Sequence, residues 1–468
     1  MSKEKNIVIV GGGITGLATA FYLQKEIKEK QLPYTIELIE ASDRLGGKIK
    51  TFRKDGFVIE RGPDSFLARK QPAVKLAEDL GIADQLVRNG TGQSYILANN
   101  KLHKMPQGSF MGVPTESKPF LFSGLFSTKG KMRAGFDFVL PKGKAVEDQS
   151  LGMFFRHRFG DELVDNLIEP LLSGIYAGDM NKMSLMATFP NFYHLEQQHR
   201  SLIKGLKKSM PPKKKTKEKP KGGMFYSFKN GLETYIDALK QQLQDIKITM
   251  HEQVDHIEKK EQGYHLLLSS GMVAKADAIV LTSAHHTVPK MFSQYDFFQV
   301  LNDIPSTSVA NVALAFDEKA LKKDIDGTGF VVTRKSDYRI TACTWTHRKW
   351  PNSTPAGKVL LRTYIGKPGD QEIVDLPDDE IIDIVLRDLN KTMKIKKKPE
   401  FYVITRWKEA MPQYTVGHIE RLNHIRTEML NHLPGTFLAG SSYEGLGIPD
   451  CIEQGEKAVQ QVLDFLND

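Results

Sequence analysis

Residues 6 to 40 decide the first thing this chain must build. Asn6-Ile7-Val8-Ile9-Val10 runs into Gly11-Gly12-Gly13-Ile14-Thr15-Gly16, an apolar helical stretch follows, and Ile36-Glu37-Leu38-Ile39-Glu40 closes the unit. The order is strand, glycine turn, helix, strand, acid. A strand feeding G-x-G-x-x-G into a helix sets backbone N–H groups and the helix N-terminus against a pyrophosphate, and the acid ending the second strand suits a ribose hydroxyl pair. Gly11 allows the tight turn, Gly13 the backbone approach and Gly16 the close packing of helix on strand. Gly12, Ile14 and Thr15 complete the turn, and Glu40 with Ala41 forms the ribose end. The fold class that follows is α/β, with a Rossmann-like domain built around a dinucleotide.

A chain of 468 residues can bury two or three structural domains. Its two cysteines, Cys343 and Cys451, offer neither metal-ligand spacing nor a disulfide framework, so no metal is expected and a reducing cytoplasm is the natural setting. No apolar run reaches membrane-spanning length, and Met1 to Lys5 lead straight into the first strand without a signal-peptide core. The net charge of +9 is concentrated: residues 204 to 221 hold nine lysines against the single acid Glu218. Cations confined to one loop without aromatic residues argue against a nucleic-acid partner. They suit a mobile solvated loop first, and otherwise peripheral contact with an anionic membrane surface or an acidic partner; Phe120-Leu121-Phe122 with Leu125-Phe126, and Phe136 to Leu140, read as core or cavity wall in preference to a membrane-touching patch.

Periodicity divides the rest. Residues 1–75, 224–300 and 401–468 are expected to assemble the dinucleotide domain, with Asp277-Ala278-Ile279-Val280-Leu281-Thr282 as a buried parallel strand. Residues 76–223 read as a mainly helical cap ending in the basic loop, and residues 301–400 as a β-rich substrate domain with a covering helix near Asp378 to Leu389. Near the end, Leu438-Ala439-Gly440 leads through a glycine-rich turn to Gly447-Ile448-Pro449-Asp450, with Pro449 suited to the first turn of a last helix.

Gly11 to Gly16, Glu40, Arg44-x-Gly46-Gly47, Gly62-Pro63 and the terminal glycine turn together resemble the flavin amine-oxidase superfamily. The resemblance implies FAD. It implies that Arg44 and Lys48 lie near the pyrophosphate and ribityl region and that Gly62, Pro63, Asp64 and Ser65 pass close to the isoalloxazine. Val254 would contact the adenine through its backbone, Trp407 would lie near the ring, and Gly440, Gly447, Ile448, Pro449 and Asp450 would bring a helix N-terminus to the electron-rich edge of the reduced flavin.

Within that superfamily, Glu169-Pro170-Leu171-Leu172-Ser173-Gly174-Ile175-Tyr176-Ala177-Gly178-Asp179 resembles the signature of the protoporphyrinogen and coproporphyrinogen oxidases, in the manner of the Gram-positive bacterial enzymes. Lys229-Asn230-Gly231-Leu232 and Tyr443-x-Gly445-x-Gly447-Ile448-Pro449-Asp450 fit the same family. Its members oxidise a porphyrinogen to the aromatic porphyrin in haem biosynthesis, with dioxygen as final acceptor and hydrogen peroxide as by-product, and the preferred substrate implied is coproporphyrinogen III. Ser173, Gly174, Ile175, Tyr176 and Gly178 would border the ring. Aromatisation supplies the driving force, so no catalytic acid or base is assigned, and His157, His285 and His286 are read as structural or surface residues. Four propionates call for cations at the cavity mouth, and the candidates are Arg44, Arg61, Lys70, Arg156, Arg158, Arg339 and Arg406. An amine or carotenoid oxidoreductase of the same superfamily is the alternative, separated by the Ser173 to Asp179 stretch. A flavin-free porphyrin carrier is the other, opposed by the intact glycine turn and Glu40.

Overall fold

The computed structural model describes residues 4–210, 223–322 and 325–467. Most of the lysine-rich loop, including Lys213 to Lys221, lies outside the described residues; Lys204, Lys207 and Lys208 lie on the helix Leu202–Ser209.

Five parallel strands form one sheet, in the order Lys247–Met250, Tyr34–Glu40, Lys5–Val10, Ala278–Leu281, Thr436–Leu438. Alternation along the first strand decides its two faces. Ile7 and Ile9 pack under the helices Ile14–Lys30 and Ile448–Asn467, while Val8 and Val10 meet the antiparallel sheet Val254–Lys259, Tyr264–Leu268 and Val273–Ala276. A strand buried on both sides needs continuous apolar character, which is how it reads.

A second sheet has seven strands, in the order Phe401–Pro412, Ser306–Asp317, Lys358–Ile365, Ile340–Trp345, Gly329–Val332, Ser94–Ala98, Lys101–Lys104. Neighbours are antiparallel except Gly329–Val332 against Ser94–Ala98. The helix Asp378–Met393 buries Ile381, Val385 and Leu389 against it. Three of its strands come from outside the 301–400 segment expected to form it. Ser94 to Lys104 leaves the helical segment because Asn99 and Asn100 take φ of 50° and 57°, the two-residue hairpin turn that asparagine tolerates. Phe401 to Pro412 leaves the dinucleotide segment because Phe401 to Met411 pairs along Ala315 to Thr307.

The cap helices enclose a further core, with Phe154, Phe155, Phe159, Leu163 and Leu167 among its members. No described helix is long and apolar enough to cross a membrane.

Candidate active site

At the carboxyl edge of the parallel sheet Gly11 turns with φ +109° and donates its N–H to Ile39 O at 2.8 Å. A β-carbon on Gly16 would sit 1.9 Å from the Gly11 carbonyl oxygen, so only glycine lets this helix lie on this strand. Gly13 differs: a β-carbon there would meet no protein atom within 4 Å. Gly13 also precedes the helix Ile14–Lys30 without a side-chain cap, and the first helical turn holds no acid. The unpaired N–H groups therefore face open space, the condition a phosphate needs.

Glu40 closes the other side. Its Oε2 accepts Gly12 N–H at 2.6 Å, and its Oε1 accepts the Ser42 N–H at 2.8 Å and hydroxyl at 2.6 Å. Ala41 is exposed beside it. The chain before Val254 returns here, with Glu252 N–H donating to Glu40 O at 3.1 Å, while Val254 is buried at the start of its strand. The Gly46-Gly47 turn backs onto the first glycine turn: Gly46 N–H donates to Gly12 O at 2.8 Å, and a β-carbon on Gly47 would lie 3.2 Å from the Gly13 α-carbon.

The third glycine element arrives at the same edge. Ala439 N–H donates to Leu281 O at 3.0 Å and Gly440 N–H to the Gln454 side chain at 2.9 Å, so the strand Thr436–Leu438 delivers its turn beside Thr15. The last helix begins at Ile448, with Pro449 in its first turn and Gly447 just ahead; Asp450 is paired with Lys70. Lys48 projects between the two turns, with its ammonium 3.4 Å from Ser441 Oγ. Among the described residues no carboxylate lies within ion-pairing distance of it, and burial pulls its pKa down.

Gly62 fits under Lys48, since a β-carbon on it would lie 1.9 Å from Lys48 O. The seven-stranded sheet ties down the carbonyls around it. Asn311 Nδ2 donates to Glu60 O and Arg61 O at 3.1 and 3.3 Å, Trp407 Nε1 to Arg61 O at 2.8 Å, and Arg362 to Gly62 O. Pro63 leads into Asp64, which accepts from Lys349 Nζ at 2.8 Å and from Ser65 Oγ at 2.6 Å, with Arg362 at 3.3 Å. Burial alone would raise the Asp64 carboxyl; the Lys349 ammonium and Arg362 guanidinium reverse this and hold it well below the usual carboxylate range.

Behind this segment a cavity of about 20 Å³, room for one water, lies among Glu60, Asp64, Thr346, Trp350 and Arg362. Glu60 accepts Leu232 N–H at 2.6 Å and the Thr51 hydroxyl at 3.0 Å, yet burial pushes its carboxyl from 4.5 up to about 7. Between those two values the folded protein holds a proton that the unfolded chain has released, so stability falls as pH rises through that window. We expect a loss on the order of 1–3 kcal/mol from pH 5 to pH 7 in urea unfolding, and a flatter profile in Glu60→Gln.

The Ser173 to Gly178 stretch joins through aromatic contacts. The Tyr176 ring lies 6.1 Å from that of Tyr414, whose hydroxyl donates to Ser441 O at 2.7 Å. A β-carbon on Gly174 would meet nothing within 4 Å, Ile175 is exposed, and Ser173 Oγ is buried without a hydrogen-bond partner. Gly174 and Ile175 border open space, whereas Ser173 carries the buried, unpartnered hydroxyl. Gly178 borders no open space, because a β-carbon there would lie 2.2 Å from Gln413 Oε1; its small size accommodates a protein side chain.

Most of the candidate cations are engaged elsewhere. Arg44 donates to Gly47 O and Ile49 O at 2.8 and 2.6 Å and pairs with Glu233, so it supports the turn. Lys70 pairs with Asp450, Arg156 with Asp161 and Asp165, Arg339 with Asp370, Arg406 with Asp378, and Arg158 with Asp137 in the cap core. Arg61 is the exception among these candidates: its Nε donates to Thr405 Oγ1 at 2.8 Å and no described carboxylate pairs with it. His285 is buried with its ring nitrogens against Ser442 Oγ and Ile304 O, and burial pulls its pKa to about 4; His157 is exposed.

The sequence reading missed Asn311, Lys349, Arg362, Gln413 and Tyr414. Arg362 carried a signal, being a cation set after Val359, Leu360 and Leu361 in the interior of the strand Lys358–Ile365.

Residues 14–463 match the model for flavin containing amine oxidoreductases. The chain belongs to that family. It is an oxidoreductase whose cofactor is FAD, and the open Gly13 face, uncapped helix and Glu40 fit that group. Curated relatives include the coproporphyrinogen III oxidase of Bacillus subtilis, 52% identical over 99% of both chains. That of Staphylococcus aureus is 44% identical over 98% of this chain and 99% of its own. A solved structure from an Exiguobacterium species superposes with a TM-score of 0.88 at 37% identity over the whole of both chains.

Proposed function

We propose that the protein oxidises coproporphyrinogen III to coproporphyrin III, with FAD as the immediate acceptor and dioxygen as the final one. The observation that carries this reading is the 52% and 44% identity to coproporphyrinogen III oxidases over nearly the whole chain. FAD supplies a two-electron acceptor for each round of ring oxidation. The protein's own part is to bind and orient. The N–H groups after Gly13 and the Glu40 carboxylate hold the dinucleotide, Gly62 to Ser65 and Trp407 shape the isoalloxazine side, and Ser173 to Tyr176 border the porphyrinogen.

Both nitrogens of His285 are already engaged, and burial, by pulling its pKa to about 4, leaves it a weak base, so it is not assigned as the general base. This supports a reaction driven by aromatisation and positioning. Arg61, without a carboxylate partner, is the candidate for one propionate. Arg61→Met is expected to raise KM for coproporphyrinogen III about tenfold, and KM for the two-carboxylate protoporphyrinogen IX less, in porphyrin-fluorescence assays. Equal effects on both would remove Arg61 from substrate selection.

The same reading places the protein in the cytoplasm, in salt-sensitive contact with the membrane. Exposed Leu121, Phe122, Phe136 and Val139 near Lys118, Lys129 and Lys142 support that contact. A membrane-bound fraction that high salt failed to release would count against it.

A further inference from the structure

The helical run from Asp161 to Tyr176 is interrupted by a π-turn at Val164–Ile168, directly before the Glu169–Tyr176 helix that carries Ser173 and Gly174. Such turns widen a helix and weaken its hydrogen bonding, so what holds one in place matters. Here the support comes from another unit of the fold. The loop after the Gly329–Val332 strand of the seven-stranded sheet sends two cations to the interruption. Lys335 Nζ lies 2.7 Å from Asp165 inside the π-turn, and Arg156 lies 2.7 Å from the other oxygen of the same carboxylate.

Arg334 does more. Its Nε lies 3.0 Å from Glu169 Oε1 at the start of the helix, its Nη2 donates to Gly178 O at 2.6 Å beyond the end, and its Nη1 is 3.7 Å from Asp179. One planar guanidinium therefore ties together the residues that flank the helix at both ends, a geometry lysine's single ammonium cannot reproduce. On the opposite side Gln413 Nε2 donates to Tyr176 O at 2.8 Å. Between these two supports lie Gly174 and Ile175, which are exposed, and Ser173, whose hydroxyl is buried without a hydrogen-bond partner.

We propose that Arg334 is a positioning residue for substrate: by clamping Glu169 and Gly178 it holds the Ser173 to Tyr176 segment in register over the ring site. This rests on the reading that the segment borders the porphyrinogen. Arg334 touches neither dinucleotide turn, so its loss acts on the porphyrinogen side alone. An error of about 1 Å in such a wall is enough to cost 10–100-fold.

The test measures KM and kcat for coproporphyrinogen III, FAD content and thermal midpoint in Arg334→Gln, Arg334→Lys and Glu169→Gln holoenzymes, with Gly174→Leu as a direct probe of the segment. Arg334→Gln should raise KM at least tenfold with full FAD content and an unchanged flavin spectrum. Glu169→Gln, which keeps the Gly178 bond, should have a smaller effect. Arg334→Lys keeps the charge without the fork, should fall between, and covers the case in which Arg334→Gln does not fold. A lower thermal midpoint with unchanged KM in Arg334→Gln or, where that variant does not fold, in Arg334→Lys would make the clamp merely structural and overturn the proposal. If Gly174→Leu also left KM and kcat unchanged, the segment would not be at the ring site and the reading beneath the proposal would fall with it.

Discussion

Gly13→Ala should yield a folded protein that binds FAD about 100-fold more weakly, whereas Gly16→Ala should yield no stable fold to load. The two changes add the same methyl group three residues apart. At Gly16 the new carbon would lie 1.9 Å from the Gly11 carbonyl oxygen and 2.9 Å from Thr282 Oγ1, a backbone clash that only separation of helix and strand can relieve. Overpacking of that kind costs upwards of 3 kcal/mol. At Gly13 the carbon would meet no protein atom within 4 Å, so the apoprotein loses no more than about 1 kcal/mol for alanine in place of glycine at a helix N-cap. The methyl group does block the approach of a pyrophosphate to the N–H groups, and a loss on the order of 2–3 kcal/mol corresponds to about 100-fold weaker binding. Titration of each apoprotein with FAD, alongside circular dichroism, separates the cases. Tight FAD binding by Gly13→Ala would show that the open face is not where the dinucleotide lies.

The second large effect is in the cap. Arg158 and Asp137 are both fully buried. Arg158 donates to Asp137 Oδ1 at 2.8 Å, Pro141 O at 2.7 Å and Arg200 O at 2.6 Å, with Glu196 at 3.5 Å. Asp137 also accepts the Ser201 hydroxyl at 2.6 Å and the N–H groups of Leu202 and Ile203 at 3.2 and 3.0 Å, which caps the helix Leu202–Ser209. Removing one partner of such a pair strands the other charge in the core, at about 3–5 kcal/mol. Arg158→Ala should therefore speed amide exchange in residues 137–160 and 196–209 by 10²–10³-fold, on the order expected for that loss, and leave the parallel sheet protected. Uniform acceleration across the chain would mean that the cap does not open as a unit.

The same network shows what a sequence can and cannot reveal. Arg158 was a candidate for a propionate because a cation in an enzyme is visible and its partners are not. Asp137 and Glu196 are 21 and 38 residues away, and only the packing of three cap segments brings them together. Arg339 and Arg406 likewise pair with Asp370 and Asp378 from separate segments, whereas the partners of Arg156, Asp161 and Asp165, follow it closely in the chain. Local features fared better. The parallel strands were legible because burial on both faces leaves an uninterrupted apolar run, and Gly11, Gly13 and Gly16 because each spacing has its own steric cause. The Asn99-Asn100 hairpin was legible in principle, since two asparagines between apolar runs suit the positive φ both adopt. Phe401 to Pro412 was harder, because Arg406, Lys408 and Glu409 interrupt its pattern and a bulge opposite Thr307 to Val309 shifts its register. Gly178 was noticed for a sound reason with the wrong neighbour: the approach it permits is that of Gln413.

The central claim is that a porphyrinogen with four carboxylates delivers its electrons to FAD in this protein. Anaerobic mixing of the holoenzyme with coproporphyrinogen III, followed by absorbance of the flavin and then by admission of air, tests it most directly. The account predicts rapid bleaching by coproporphyrinogen III, slower bleaching by protoporphyrinogen IX, and return of the flavin band with porphyrin fluorescence once oxygen enters. Flavin that stays oxidised with both porphyrinogens would contradict the account, leaving an FAD-dependent member of the family with a different substrate.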